Sequence, residues 1–464
     1  MRFLPMTAIL LPVLVGAQTP AVSLVPGTTL NLVRPDPGQT SSSASNPATQ
    51  PATPNHPPLL TRQDAEKIAV ANNPRVKVSV LLAELQTQVV RETRANELPN
   101  LNGDVTTEDA NEGSRISTGS LAASRLLYHV GMGVQLNQLI TDFGRTRNLI
   151  ASQRLREKAR QADVNATKED IILATDQVFF QAVQAQATLR VAQQTVEARQ
   201  TLVDQVSALA AAKLKSELDL SFAQVNLSQA KLLQLDAQSN LDAAKAALAA
   251  VLGYDHPVTY ELVENTGDLQ TLPSNVDQSV TDALQNRPDL QSLRLSEQAA
   301  QKFSVAQREQ LLPTVSALGV VGYTPLGASQ YFTSSWYGAV GLNLNVPIFN
   351  GFRYVAQASE AALEATVQSE RVRDLRNRVV RDVRTAWLTA NTELQRVTVA
   401  EELLKQANLA LSLAQTRYQL GLSSIVELSQ AQLQQTEAAI ANANARAQFG
   451  LAYAGLQFQT GVTK

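Results

Sequence analysis

Two periodicities divide this chain. Two segments alternate apolar and polar residues with a period of two: Leu101, Gly103, Val105 and Thr107 alternate with Asn102, Asp104, Thr106 and Glu108, and Met132, Val134 and Leu136 then alternate with Gly133, Gln135 and Asn137. Further on, Val315, Ala317, Gly319, Val321 and Tyr323 share one face, followed by Val340, Leu342, Leu344 and Val346 against Gly341, Asn343 and Asn345. A period of two with one polar face predicts strands, here two hairpins at about 100–141 and 313–348. After each hairpin the period lengthens. Leu220, Ala223, Leu227, Ala230, Gln234, Ala237, Leu241, Ala244, Leu248 and Val251 step by three and four, a helical seam whose alanines allow close approach. Neither Gly nor Pro occurs from Arg145 to Leu252, and no Pro follows Pro347, so helices are expected over about 145–252 and 352–460. A helix of ~65 residues reaches ~100 Å and cannot bury itself in a compact domain. It needs neighbours alongside.

The second half repeats the first. Ala71-Asn72-Asn73-Pro74-Arg75-Val76 returns as Gln285-Asn286-Arg287-Pro288-Asp289-Leu290, and Leu98-Pro99 as Leu312-Pro313, both at an offset of 214. Beyond the first hairpin the offset is 208: Ile140-Thr141-Asp142-Phe143-Gly144-Arg145 matches Ile348-Phe349-Asn350-Gly351-Phe352-Arg353, Leu218-Asp219-Leu220 matches Val426-Glu427-Leu428, and Gly253 matches Gly461. The change of offset places a loop of different length inside the hairpins. Two copies of one unit follow, at 59–265 and 266–464.

The N-terminus reads as an address. Residues 1–17 carry one early charge, Arg2, an apolar stretch from Ala8 to Val15, and small residues at Val15-Gly16-Ala17, the pattern of a secretory signal peptide with cleavage before Gln18. The apolar run is shorter than the ~20 residues of a spanning helix and contains Pro12. Residues 18–58, rich in Pro, Ser and Thr, are expected to be a disordered leader.

For an exported chain, strands of ~10 residues, apolar on one face and polar on the other, fit a transmembrane β-barrel with its polar side toward a water-filled lumen. Tyr331, Phe332, Trp336 and Tyr337 cluster at the loop end of the second hairpin and Tyr128 near the equivalent end of the first. They read as a membrane girdle, with a small local aromatic core as the competing account. Four strands cannot close a barrel. Three copies would supply about twelve strands, with the helices extending the tube below.

Composition narrows the chemistry. The chain has 464 residues, net charge -2, no cysteine and three histidines, His56, His129 and His256, far apart in sequence. Disulfides, Cys nucleophiles, an acylated Cys anchor and a His-based metal site are therefore not expected. Without basic runs, nucleic acid is not an expected partner. There is no Gly-rich phosphate loop, GxSxG elbow or HExxH, so no catalytic residue, cofactor or metal is assigned and the chain is not read as an enzyme. A soluble periplasmic structural coiled-coil protein is the alternative.

The duplication, the hairpins ending in Thr141-Asp142-Phe143-Gly144-Arg145 and Phe349-Asn350-Gly351-Phe352-Arg353, and the run Arg417-Tyr418-Gln419-Leu420-Gly421-Leu422-Ser423-Ser424 together resemble the TolC-type outer membrane efflux proteins over roughly residues 60–464. The resemblance implies a homotrimer: a twelve-stranded barrel among outer membrane lipids over a long periplasmic α-helical barrel. It also implies a passive, gated exit duct for small molecules or proteins in a tripartite efflux or type I secretion system. Its partners would be a periplasmic adaptor, the membrane fusion protein, and an inner-membrane pump of the resistance-nodulation-division or ABC type. By position, Tyr418 and Asp219 fall on the family's gate tyrosine and aspartate, and Ser423 stands where the family has a gate arginine. Lys213 or Lys215 could replace that cation, or both are solvated surface lysines. Glu427 falls on an acidic lumen position that would favour cations, against the simpler reading of a solvent-facing glutamate; Gln430 occupies the second such position. Arg417, Gly421, Leu422 and Ser424 lie at the implied adaptor-docking tip.

Overall fold

Alanine at every third or fourth position lets helices lie side by side at short range, and that packing builds most of this molecule. The computed structural model describes residues 59–109, 128–255, 260–263, 270–323 and 336–461; side chains of 106–109 and 128–131 are outside the description. The signal and leader segments, Tyr331 and Phe332 lie outside the described residues, as does the side chain of Tyr128.

The elements run β1 (Leu59–Leu60), α1 (Arg62–Asn72), α2 (Pro74–Ala95), β2 (Asn100–Asp109), β3 (Tyr128–Thr141), α3 (Arg145–Ala211), α4 (Glu217–Val251), β4 (Glu261–Leu262), α5 (Val276–Asn286), α6 (Pro288–Arg308), β5 (Thr314–Tyr323), β6 (Trp336–Asn345), α7 (Arg353–Gln419) and α8 (Ile425–Thr460). The duplication is visible in the elements themselves. α1, α2 and β2 recur as α5, α6 and β5 214 residues later, and α3 and α4 recur as α7 and α8 208 residues later. α3 and α7 each have 67 residues, about 100 Å of helix.

On α4, Ala223, Leu227, Ala230, Ala237, Leu241 and Leu248 are buried, most of the seam anticipated from spacing. They pack on α3, where Leu189 and Ala192 meet Ala237 and Leu241. The short paired helices wrap the middle of the long ones: Ala65 and Ala69 of α1 pack with Ile171, Phe179 and Ala182 of α3, and Val280 and Ala283 of α5 with Val379 and Val383 of α7. β1 and β4 form a two-stranded parallel sheet beside this belt. Among the described residues no helix is long and apolar enough to cross a membrane.

The remaining four strands form one antiparallel sheet in the order β2-β3-β5-β6. Its register puts Leu101, Leu136, Gly319 and Val340 in one row across the four strands, and Val105, Met132, Tyr323 and Trp336 in another. Side chains directly opposite one another share a face, so one face is apolar over most of its length, Gln138 of β3, opposite Ala317, being an exception. The other carries Asn102, Asp104, Gln135, Asn137, Ser316, Asn343 and Asn345. Val340, Leu342 and Leu344 on the apolar face are 92%, 75% and 63% exposed within the chain. β2 and β6 are the two edges of the sheet, and neither has an outer partner among the described residues.

Candidate functional site

The two long helices of each copy reverse direction at one end of the molecule. α3 closes with the Leu214 N–H on the Leu209 carbonyl (2.8 Å) and the Lys213 N–H on the Ala210 carbonyl (2.9 Å). α7 closes identically, Leu422 on Arg417 (2.8 Å) and Gly421 on Tyr418 (3.1 Å). Both are Schellman caps, which put the residue after the cap in the left-handed region. Gly421 takes φ 75° at no steric cost, whereas Lys213 adopts φ 59° with a side chain attached.

The next helix of each copy starts from a serine cap. The Ser216 Oγ accepts from the Asp219 N–H (3.1 Å) while the Asp219 carboxylate accepts from the Ser216 N–H (3.3 Å), a closed capping box. The Ser424 Oγ likewise accepts from the Glu427 N–H (3.3 Å). Asp219 and Glu427 thus occupy equivalent helix positions, but Glu427 reaches back to Arg417, 3.3 Å from Nε to the carboxylate. The position equivalent to Arg417 in the first copy is Leu209. One turn is stapled locally and the other by an exposed ion pair.

Tyr418 lies between the two turns. Its ring is buried with Leu202 and Val206 of α3 and Ile425, Leu428 and Ala431 of α8. The Lys215 ammonium sits 4.4 Å from the ring centre, a cation–π arrangement. Burial, and secondarily the negative charge of Asp219, push the phenol above its ordinary pKa, so it is neutral at physiological pH. The Asp219 carboxylate is close enough to act through its field, yet it is committed to the helix cap. Neither the Tyr418 hydroxyl nor the buried Ser423 hydroxyl finds a hydrogen-bond partner among the described residues. Ser423 sits inside the turn, Leu422 points outward at 67% exposure, and Gly421 and Ser424 are also exposed.

Sequence reasoning missed a second polar feature one turn above. The seam of α3 runs Ala192, Thr195, Arg199, Leu202, Val206, so a guanidinium occupies an apolar position; it is 6% exposed and donates to the Gln432 side chain of α8. The spacing alone would have shown a cation in the seam.

At the opposite end, Trp336 stands on the apolar face, its ring 5.2 Å from that of its cross-strand neighbour Tyr323. Tyr337, grouped with it in the expected girdle, is on the polar face instead, because successive strand residues point to opposite sides. A second apolar belt, not assigned from sequence, lies where strands give way to helices: Ile140, Phe143, Ile348, Phe349 and Phe352 are all more than half exposed.

An amphipathic four-stranded sheet continued into duplicated ~100 Å helix hairpins defines the class: a channel-forming envelope protein built from a β-domain and a helical barrel. A profile of the outer membrane efflux protein family matches residues 67–254 and 280–462, so the chain belongs to that family. It is 23% identical over 390 residues to the outer membrane protein TolC of Salmonella enteritidis, covering 81% of this chain and 76% of that one. Its fold matches a crystal structure of CusC with TM-score 0.75 at 19% identity (86% of this chain, 92% of that chain). It also matches the Campylobacter jejuni CmeC outer membrane channel with TM-score 0.73 at 18% identity (87% of each chain).

Proposed function

We propose that this chain is the outer-membrane exit duct of a tripartite efflux or type I secretion system, working as a homotrimer. The observation that carries the reading is the sheet: mostly apolar on one face and mostly polar on the other, with both edges unpaired among the described residues. An exposed edge strand invites pairing, and a lipid-facing sheet must leave no backbone group unsatisfied. Pairing β6 of one copy with β2 of the next, three times round, satisfies both demands and turns Asn102, Gln135, Ser316 and Asn343 toward a common lumen. The helices then continue the bore into the periplasm, and the turns at Lys213 and Gly421 form its far tip. There a periplasmic adaptor docks on exposed Leu422, Ser424 and Gly421, bringing substrate from an inner-membrane pump. Tyr418, with Lys215, Asp219 and Ser423 around it, is the gate of this passive conduit. A cleaved signal delivers the chain, and the barrel with its belts holds it without a lipid anchor.

Fractionation tests this directly. The mature protein should sediment with outer membranes and migrate as a trimer that heating converts to monomer. Recovery as a soluble monomer would overturn the duct and favour a structural coiled coil.

A further inference from the structure

On the polar face of the sheet, Asp104, Gly133, Gly322 and Tyr337 form one continuous row across β2, β3, β5 and β6. The two central positions have no side chain, and Tyr337 uses the space. A Cβ built on Gly322 would lie 2.4 Å from both the Cζ and the Oη of Tyr337 and 2.6 Å from its Cε1. A Cβ on Gly133 would lie 3.2 Å from the same Oη. The ring therefore lies flat over the backbone of β5, its hydroxyl reaching β3. Laying an aromatic ring over a cross-strand glycine also covers backbone that glycine leaves bare.

Tyr337 is the second residue of β6 and sits at the loop end of the sheet. Resting on the reading that the polar face lines the duct, we propose that Gly322 and Gly133 are positioning residues that hold Tyr337 against the inner wall and so set the width of the outer mouth. A phenol standing upright at this position in each copy would project into the bore. A phenol lying across two glycines leaves it clear and presents only its face to passing cargo.

The chain has no cysteine, so one introduced thiol is a unique reporter. Asn343→Cys places it on the polar face, six residues or about 20 Å from Tyr337 toward the helices. The measurement, on the full trimer in liposomes, is the rate of labelling by water-soluble maleimides of increasing size added from the loop side. Adding Gly322→Ala should abolish labelling by the largest reagents while sparing the smallest, and adding Tyr337→Ala should restore it. Gly133→Ala, whose Cβ would meet Tyr337 only at the hydroxyl (3.2 Å) and otherwise the Val321 carbonyl oxygen (3.3 Å), should slow the large reagents less. Tyr337→Phe should reverse the effect of Gly133→Ala but not that of Gly322→Ala, whose Cβ also meets ring carbons. Unchanged rates in Gly322→Ala, or slowing that Tyr337→Ala does not reverse, would overturn the proposal. If Gly322→Ala fails to assemble, the Gly133→Ala pair decides by the same criterion. Leu342→Cys, on the apolar face, separates the two readings: if it labels and Asn343→Cys does not, the duct assignment itself has failed.

Discussion

Arg417 and Glu427 meet across the Gly421 turn, Nε to carboxylate 3.3 Å, so the acid that would line the tip already carries its own counter-charge. In the proposed trimer a ring of three Glu427 side chains would favour cations, but three Arg417 side chains beside it would cancel much of that field. Both partners are about half exposed, and such a pair contributes about 0.5 kcal/mol. On the proposed duct reading its greater effect would be on ions. Arg417→Gln should raise the cation-to-anion permeability ratio, roughly twofold at low salt, and Glu427→Ala should lower it by a similar factor. The double variant should return near the starting ratio. Reversal potentials in a salt gradient measure this; an Arg417→Gln ratio equal to wild type would place the pair away from the ion path.

Tyr418 acts chiefly through its ring. The hydroxyl has no partner among the described residues, while the ring packs on α3 and α8 beneath the Lys215 ammonium. Tyr418→Ala should therefore destabilise the tip by about 3 kcal/mol, as large-to-small changes at buried aromatics do, and raise the leak conductance. Tyr418→Phe should keep both near wild type. Equal leaks in the two variants would locate the latch in the hydroxyl, bonded to a neighbouring copy.

Most of the architecture was legible because both periods are written in the sequence. The alternation through Met132–Leu136 and Val340–Leu344 gave both faces of the sheet, and Leu220–Val251 gave the α4 seam. The tip was legible only in part. That Gly421 and Lys213 occupy equivalent turns follows from the offset of 208, but which partner each acid takes depends on what stands across its turn. With Leu209 in place of an arginine, Asp219 closes its own cap; Glu427 has Arg417 within reach and pairs with it. Tyr337 shows another limit. Proximity in sequence to Trp336 suggested a shared role, whereas its place is fixed by glycines on β3 and β5, one of them in the other repeat.

Arg199 tests how the helical barrel tolerates a buried cation. Its guanidinium lies in the α3 seam and donates to Gln432 of α8, while burial lowers its pKa. Gln432→Leu leaves that charge without its acceptor and should cost about 2 kcal/mol. Arg199→Met combined with Gln432→Leu should fall within about 1 kcal/mol of wild type, because replacing a buried polar pair by apolar groups is often neutral. Urea unfolding of the purified protein measures both. A double variant as unstable as the single would show that the pair contributes more than mutual satisfaction.

Asp176 should make the attachment of α1 depend on pH. It lies on α3, 3% exposed, with the Arg62 Nε at 3.7 Å and Glu66 beside it, both on α1. Burial raises its pKa to about 7, Arg62 opposes that rise, and the Glu66 carboxylate adds to it. The folded acid thus holds its proton more tightly than the unfolded one, whose pKa is near 4. Below about pH 4 both states are protonated and the group has no effect; between about pH 4 and 7 the folded state holds the extra proton, so stability falls as pH rises; above 7 the loss is complete. Hydrogen exchange of α1 amides, corrected for intrinsic rates, should therefore show more frequent opening at pH 8 than at pH 5. Asp176→Asn keeps the shape and removes the titration, so its opening free energy should lose this slope. Equal slopes in the two proteins would mean that Asp176 is ionised in the fold throughout this range, held by Arg62 despite its burial.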